Sequence, residues 1–245
     1  MVGDVQGCAR ELEDLLAAIR FERGRDELVC AGDMINRGPE SLATLRLWLD
    51  VDGRAVLGNH DVYALCARSG RWPRKHDRLQ ALFEAPDADE LFARLRSLPV
   101  LLHLPTPDHA PKRDAWVVHG GVHPQWTNLH AAADQLNAGR HDDDWLESEP
   151  VRFATSVRCC TEDGRRSKWD AAPEGCPAPF RPWDDFYRGD ALVVHGHWAR
   201  RGHYRGRRTI GLDSGCVYGG VLTAWCQDDD RIITVTCREP GVYPP

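Results

Sequence analysis

RAVLGNHDVYAL, residues 54–65, places three polar residues where a short apolar strand would pass into a helix. "RAVL" is typical of a buried strand and "VYAL" resumes an apolar pattern, so Asn59, His60 and Asp61 fall at the turn between them. One interpretation is structural: Asn59 caps the helix, while His60 and Asp61 occupy its solvated first turn. A functional interpretation requires other polar residues to lie close by in the fold.

The order of strand, polar loop and helix also occurs before this stretch. "CARELEDLLAAIRF" has apolar residues at helical spacing, and "LVCAGD" is typical of a short buried strand that ends in a loop. A further helix is predicted from about Pro39, whose fixed backbone angle suits a first helical position. This alternation predicts an α/β fold with a parallel sheet. Its polar loops would gather at the carboxyl ends of the strands, where α/β sheets bind ligands.

The pattern changes in the second half of the chain. A basic loop, "RSGRWPRKHDRL", and a helix, "DADELFARLRSL", predict a small helical cap at about residues 68–98. Strands "PVLLHL" and "AWVVHGG" precede a polar stretch that is predicted to be an irregular lid, at about residues 127–183. Strand "ALVVHGHW" follows, and "TIGLDSG", "GGVLTAWC" and "RIITVTC" alternate like antiparallel strands. We expect a single domain over residues 1–245.

Composition indicates an ordinary soluble domain. The chain has 245 residues, 42% hydrophobic and 28% charged, which suffices for a sizeable core. Its formal charge of −6 argues against a large surface that coats nucleic acid. No apolar stretch approaches the roughly 20 residues that a membrane span needs, and the first residues do not resemble a secretion leader. A cytoplasmic location without membrane association is therefore expected.

The nine cysteines show no metal-binding pattern. No pair has the two-residue spacing of a zinc knuckle, and a reducing compartment disfavours structural disulfides. Buried free thiols are expected.

Five predicted strands end in short polar clusters. The clusters are "VGDVQG" at Asp4, "AGDMINRGP" at Asp33, "LGNHD" at Asn59, "VVHGG" at His119 and "VVHGH" at His195. Any one of them could be ordinary turn chemistry, but five at carboxyl ends would converge on one cleft. Carboxylate, amide carbonyl and imidazole are the ligand types for a pair of divalent first-row metals, and glycines permit tight turns beside the ions. Asn59 is therefore predicted to be a metal ligand, with His60 free to act on a substrate.

In this order, "GDVQGC", "GDMINRGP", "GNHD", "HGG" and "HGHW" resemble the motifs of the calcineurin-like metallophosphoesterase superfamily. Those motifs alone leave protein phosphatases, nucleases and nucleotidases open. The longer stretches "DRLQALFEAPDADELFARLRSLPVLL", "HGGVHPQW", "PAPFRPW" and "LDSGCVYGG" resemble the symmetrical bis(5′-nucleosyl)-tetraphosphatases, which split diadenosine tetraphosphate into two ADP. The resemblance covers nearly the whole chain. It implies a four-layer α/β metallophosphoesterase sandwich with a small helical cap.

The resemblance also implies a ligand set for two divalent ions, Mn²⁺ or Co²⁺. The ligands are Asp33 bridging both ions, Asp4, Gln6 and His197 on the first, and Asn59, His119 and His195 on the second. His197 is assigned to the first ion because residues at alternate strand positions share a face. Gln6 stands where most of the superfamily has His, and its neutral carbonyl is a weaker ligand, so the first ion is expected to be held more loosely.

Catalytic and substrate-binding roles are implied in the same way. His60 corresponds to the general acid at the leaving oxygen and Arg37 to the cation on the attacked phosphoryl group, with a metal-bound hydroxide as nucleophile. The residues assigned to substrate binding are Arg37, Arg71, Arg74, Lys75, Arg78 and Asp213. A tetraphosphate carries about four negative charges, which the basic loop could meet, although a solvated basic loop is the plainer alternative. Candidates to stack on adenine are Trp72, Trp126 and Trp198.

The predicted function is symmetric hydrolysis of a dinucleoside polyphosphate, with no obligate protein partner evident. RNA carrying a tetraphosphate cap at its 5′ end is a further substrate that the resemblance allows. One alternative is a phosphatase of phosphoproteins or other phosphoesters. Another is a nucleotide-binding protein with impaired catalysis, because of Gln6 and because only Met1 and Val2 precede Gly3. The usual first strand is thus almost absent, either because the start codon has been assigned downstream or because the strand is truncated, and a missing edge of the metal-bearing sheet would reduce stability.

Overall fold

The computed structural model describes residues 1–74, 77–106, 114–140 and 142–238. The α-helices are α1 (Ala9–Ala18), α2 (Ser41–Asp50), α3 (Asn59–Arg68), α4 (Gln80–Phe83), α5 (Ala88–Arg96), α6 (Leu129–Ala138) and α7 (Glu149–Ser156). The strands are β1 (Val29–Cys30), β2 (Arg54–Ala55), β3 (Leu101–Leu104), β4 (Ala115–Val118), β5 (Cys159–Cys160), β6 (Arg181–Pro182), β7 (Leu192–His195), β8 (Tyr204–Arg205), β9 (Thr209–Gly211), β10 (Val221–Trp225) and β11 (Ile232–Thr236).

The main strands form two mixed sheets. One has the order β3-β4-β7-β9-β8, with β4, β7 and β9 parallel and the two outer strands antiparallel to their neighbours. The other contains the parallel pair β1 and β2 and the antiparallel pair β10 and β11. The expectation that "TIGLDSG" lies antiparallel with the last two strands is therefore wrong, because β9 pairs in parallel with β7 in the opposite sheet.

Val2 joins the two strand pairs of the second sheet. It bridges Cys30 in parallel and Ala224 in antiparallel orientation. Its N–H donates to the Val29 carbonyl at 2.8 Å, and its carbonyl accepts from the Ala31 N–H at 2.9 Å. The expectation of a missing edge is wrong, since the short segment lies in the middle of the sheet and connects its two halves.

The hydrophobic core lies between the sheets and continues beneath the helices. Apolar side chains from both sheets meet in two buried clusters: Val29, Ala31, Val56, Leu104 and Val117, and Ala115, Val194, Ile210, Leu212 and Trp225. Helix α1 packs on β10 and β11, and α6 packs on β3 of the other sheet. Helices therefore cover both outer faces, and the predicted four-layer sandwich is confirmed.

The stretch predicted to be an irregular lid contains regular structure. It holds helices α6 and α7 and the antiparallel pair β5 and β6. Asn128 caps α6, because its side chain accepts the Ala131 N–H at 3.1 Å. Helix α7 has Pro150 in its first turn, where a missing N–H costs nothing.

A disulfide joins Cys159 of β5 to Cys176, and it contradicts the expectation that every cysteine is a free thiol. The remaining seven cysteines are free. The two bonded residues are 17 positions apart and match no recognisable spacing. Their pairing arises from the way the segment after β5 folds back.

Within the described ranges, no helix has both the length and the apolar character that a membrane crossing requires.

Candidate metal centre and substrate cleft

Buried polar side chains converge at the carboxyl ends of the strands. Asp4 follows the Val2 bridge, Asp33 follows β1, Asn59 follows β2, His119 follows β4 and Asp213 follows β9. Among the described residues, Asp33, His119 and His197 offer ligand atoms that all lie within 4.8 Å of one another. The two sheets thus bring residues from distant parts of the chain to one edge.

His119 has the geometry of a metal-binding histidine. Its Nδ1 lies 2.8 Å from the Ala31 carbonyl and donates to it, so Nε2 is the nitrogen that would exchange its proton for a metal ion. That Nε2 lies 3.3 Å from Asp33 Oδ2 and 3.2 Å from Asn59 Oδ1. Three donor atoms of the types that bind divalent first-row metals therefore face one point.

His197 and Asp4 form the other side of the cluster. The His197 N–H donates to Asp4 Oδ1 at 3.1 Å, and its ring centroid lies 5.0 Å from that of His119. His197 Nε2 is buried without a hydrogen-bond partner among the described residues. A buried unpaired nitrogen is costly, and a bound cation would satisfy it. The structure also brings Gln6 here, with its side-chain nitrogen 3.4 Å from Asp33 Oδ2.

His195 is not one of the three residues of this cluster, and its Nε2, like that of His197, is buried without a partner among the described residues. Its ring meets the Trp183 ring edge-on, with the two centroids 5.3 Å apart. It also lies close to Gly211, because a Cβ added at that glycine would be only 3.2 Å from His195 Cε1. The assignment of His197 to the first ion assumed that it shares a face with His195. Strand β7 ends at His195, however, and His197 has a φ of 70°, so the alternation of the strand does not continue.

Two glycines press against the ligand carboxylates. A Cβ at Gly58 would lie 2.1 Å from Asp33 Oδ1, and one at Gly196 would lie 2.0 Å from Asp4 Oδ1. Any side chain at either position would displace a carboxylate.

Backbone strain is concentrated in the same loops. Five non-glycine residues have left-handed φ angles here: Gln6 (45°), Asp33 (49°), Asn36 (76°), Arg37 (63°) and His197 (70°). Such conformations cost about 1–3 kcal/mol each and persist where the surroundings enforce them, often at functional sites.

The carboxylates and imidazoles perturb one another strongly. Burial raises the pKa of Asp4, with the Asp213 charge adding to it, and burial raises the pKa of Asp213 to about 6. Burial opposes ionisation of Asp33, but the charge of His119 and the hydrogen bonds from its ring and from the His60 backbone N–H lower the pKa of Asp33 to about 2. Burial likewise opposes the charged form of His119, but Asp33 and Asp4 raise its pKa to about 10. Excess buried negative charge of this kind favours a cation, so the residues present fit a divalent metal.

The metal-free protein is expected to lose stability between pH 8 and pH 10 because His119 releases its proton. Its folded pKa of about 10 exceeds the ordinary 6.5, so its contribution is complete below about pH 6.5 and is lost as pH rises through about 10. Urea unfolding of chelator-treated protein measures the effect. Between pH 8 and pH 10 the free energy of unfolding should fall by about 2 kcal/mol more in the wild-type protein than in His119→Gln. Equal losses in the two proteins would contradict the protonated, paired state of His119.

Asp61 ties two ligand loops together. It is fully buried, and its carboxylate accepts the N–H groups of Asp33 at 2.8 Å, Met34 at 3.2 Å and Gly58 at 2.9 Å. Helix α3 begins at Asn59 and Gly58 precedes it, so Asn59 is not the cap. Burial and the Asp33 charge raise the pKa of Asp61 to about 7. The purely structural interpretation of "NHD" is wrong for both residues, since Asn59 faces the cluster and Asp61 positions it.

His60 is held with its Nε2 toward the centre. The Asn36 side-chain nitrogen lies 2.9 Å from His60 Nδ1, while Asn36 Oδ1 accepts the Arg37 N–H at 2.8 Å. That second bond fixes the amide orientation, so His60 Nδ1 accepts and its proton is on Nε2. His60 Nε2 lies 3.9 Å from Asp33 Oδ2. Burial lowers the pKa of His60 despite Asp33, so the ring is neutral and presents an N–H to the centre.

Two arginines beside the centre retain donors for an anion. Arg37 is exposed, and its guanidinium pairs with no side chain in the described part of the protein. Arg158 donates from Nη2 to the His197 carbonyl at 3.1 Å, and its Nε is buried without a partner among the described residues. Sequence reasoning missed Arg158, although it belongs to the arginine-containing stretch "RFATSVRCC".

The predicted basic loop is mostly engaged with protein groups. Arg71 pairs with Asp144 and, at 3.1 Å, with Glu147. The Arg74 guanidinium lies 4.0 Å from the centroid of the Phe83 ring. Arg78 is exposed in the cap, and Lys75 lies outside the described residues. The described side chains Arg71, Arg74 and Arg78 do not line the cleft beside the metal centre.

A cleft of about 670 Å³ opens from the centre. Helix α3 and the loop after it form one wall, and α7 contributes to the other. Its lining includes Asn36, Arg37, Asn59, His60, Tyr63, Trp72, Arg152, Ser156 and Arg166. The cleft therefore joins candidate ligands to cationic and aromatic side chains.

The fold and this donor set are those of calcineurin-like phosphoesterases, and the family model of that description matches residues 1–201. The symmetrical bis(5′-nucleosyl)-tetraphosphatase of Aeromonas salmonicida (strain A449) is 37% identical, covering 96% of each chain. Its counterpart in Aromatoleum aromaticum (strain DSM 19018 / LMG 30748 / EbN1) is 36% identical over 96% of this chain and 95% of its own. The chain belongs to the calcineurin-like phosphoesterase family and, within it, to the symmetrical bis(5′-nucleosyl)-tetraphosphatases.

A solved structure agrees with this assignment. A crystal structure provisionally described as a diadenosine tetraphosphatase superposes with a TM-score of 0.70 at 32% identity, covering 96% of this chain and 91% of its own. Members of the family use divalent metals, in keeping with the cluster of Asp33, His119 and His197.

Proposed function

We propose that the protein hydrolyses dinucleoside tetraphosphates symmetrically, so that diadenosine tetraphosphate and water give two ADP. The observation that carries the proposal is the continuity of the cleft with the ligand cluster, since Asn59 lines the cleft and its Oδ1 lies 3.2 Å from His119 Nε2. The names of the relatives at 36–37% identity support the same substrate class.

We further propose that two divalent cations, Mn²⁺ or Co²⁺, bind at the cluster. Asp4, Gln6, Asp33 and His197 would hold one, and Asp33, Asn59 and His119 the other. Carboxylate, amide oxygen and imidazole donors suit these ions. When bound, such ions lower the pKa of a coordinated water and neutralise charge on phosphoryl oxygens.

The chain's own residues supply the other functions. Arg37 and Arg158 bind oxygens of the polyphosphate through donors that the protein does not already use. His60 donates a hydrogen bond from its Nε2–H to the oxygen that leaves with the departing ADP and stabilises the charge that develops there, and Asn36 keeps the proton on Nε2. Asp213, beside Asp4, adds to the negative charge that attracts the cations.

The cap and lid segments are proposed to set which phosphorus reacts. The cleft contains Trp72 from the cap region and Arg152 and Ser156 from the lid region. A cleft that binds one nucleoside diphosphate half between these walls places the central anhydride over the metal ligands. Cleavage there releases two identical products.

The expected product of diadenosine tetraphosphate hydrolysis in Mn²⁺ is ADP alone, as measured by chromatography. In water labelled with oxygen-18, half of the ADP should carry the label, because one water oxygen enters per substrate. Equal amounts of ATP and AMP would overturn the symmetric assignment. Metal binding without turnover would instead favour a nucleotide-binding protein.

RNA with a 5′ tetraphosphate cap is proposed as a further substrate, since it carries the same central anhydride and the cleft is open. The cytoplasmic location stays a prediction from the sequence. A phosphopeptide tested beside diadenosine tetraphosphate would separate the proposed activity from that of a protein phosphatase, which would prefer the peptide.

A further inference from the structure

An aromatic pair lies in the cleft away from the ligand cluster. Tyr63 follows Asn59 by four residues on α3, so it lies on the same face about 6 Å further along the helix axis. The ring of Trp72 lies beside it, with centroids 6.3 Å apart and planes inclined at 39°. Both side chains line the cleft.

The pair is held rigidly by its polar atoms. Trp72 Nε1 donates to Glu147 Oε1 at 2.9 Å, and the Tyr63 hydroxyl donates to the Pro73 carbonyl at 3.2 Å. Glu147 also pairs with Arg71 at 3.1 Å and Arg152 at 3.4 Å. Because these polar atoms are engaged within the protein, the pair offers a ligand chiefly the faces of its rings.

We propose that Tyr63 and Trp72 form the subsite for one nucleobase of the substrate, which stacks on the Trp72 ring. The proposal rests on the proposed function in that it takes a nucleotide as the ligand. Stacking on an aromatic ring is a strong, geometry-tolerant way to bind a base. Two phosphates and a ribose separate the base from the central anhydride, and the position of the pair beyond the first turn of α3 leaves room for them.

The other tryptophans considered for this role lie elsewhere. Trp126 packs against Phe153 at 5.9 Å and His123 at 5.7 Å. Trp198 is 3% exposed, and its Nε1 donates to the Ala171 carbonyl. Glu147 is a positioning residue in this arrangement, because it fixes Trp72 and holds Arg152 on the same wall.

Calorimetry in Mn²⁺ with two probes, ADP and inorganic pyrophosphate, tests the subsite. Trp72→Ala should raise the Kd for ADP on the order of 10-fold, as expected from loss of one base–aromatic stack, and leave pyrophosphate binding unchanged. Trp72→Phe, which keeps a ring, should retain most of the ADP affinity. Trp126→Ala is the matched control, and its two Kd values should equal those of wild type.

The outcomes separate this subsite from the catalytic proposal. Unchanged ADP affinity in Trp72→Ala, or an equal loss of ADP and pyrophosphate affinity, would overturn the subsite. Equal affinity of the wild-type protein for the two probes would also overturn it, whatever the protein hydrolyses. Selective loss of ADP binding in a protein that fails to cleave diadenosine tetraphosphate would support the subsite and refute the proposed reaction.

Discussion

Asp33→Asn is expected to reduce kcat on the order of 10³-fold or more while leaving the fold intact. Asp33 accepts the His60 N–H at 2.8 Å through Oδ1 and faces His119 Nε2 at 3.3 Å through Oδ2. An amide of the same shape keeps the first contact but lacks the charge and the second oxygen acceptor. Several kcal/mol of charge stabilisation are then lost at the centre. Turnover of diadenosine tetraphosphate in saturating Mn²⁺ measures the effect, and far-UV circular dichroism checks the fold.

Asn59→Ala provides the comparison for Asp33→Asn. Asn59 is proposed to hold only one of the two ions, so its variant should lose part of the bound metal and keep the rest. Elemental analysis of both variants distinguishes these cases. Wild-type turnover by Asp33→Asn in Mn²⁺ would show that the two-metal interpretation is wrong.

His60→Ala is expected to lose on the order of 10²- to 10³-fold in kcat, the usual contribution of one preorganised hydrogen-bond donor to developing charge, and to keep its metals. The structure gives His60 an N–H that faces the centre, fixed by Asn36 at 2.9 Å, and the donor types around Asp33 are complete without it. Steady-state kinetics and elemental analysis of the same preparation measure the two properties.

The control for His60→Ala is His130→Ala, which removes an exposed histidine whose ring meets Trp116 edge-on and does not line the cleft. It should retain wild-type turnover. If His60→Ala instead loses its metal together with its activity, His60 is a ligand and the hydrogen-bonding role is refuted.

Local sequence patterns predicted the elements that carry the centre. Helix α3 begins at Asn59, where "NHD" indicated a helix start, and α2 begins at Ser41, close to the predicted start near Pro39. Asp33 and His119 were placed correctly relative to their strands, because a polar residue directly after a buried apolar run marks a strand end. These signals depend only on neighbouring residues, so a single sequence is enough to predict them.

What could not be predicted depends on contacts between distant segments or on single backbone angles. The left-handed φ of His197 decides that it, and not His195, joins Asp33 and His119. The role of Asp61 appears only when the loop after β1 packs on the start of α3. The pairing of Cys159 with Cys176 depends on how an otherwise featureless segment folds back.

The bridge at Val2 also constrains the order in which this protein can acquire activity during synthesis. Asp4 is positioned by the backbone of residues 1–3, which pairs with β10. The Gly3 N–H donates to the Thr223 carbonyl at 3.0 Å, and the Trp225 N–H donates to the Met1 carbonyl at 2.8 Å. These contacts join residues that are far apart in the sequence, so forming them closes a very long loop. A ribosome-bound chain that has not yet exposed residues 221–225 lacks the neighbour that completes the sheet around Asp4. The sheet around Asp4 therefore closes only after residues 221–225 have been synthesised.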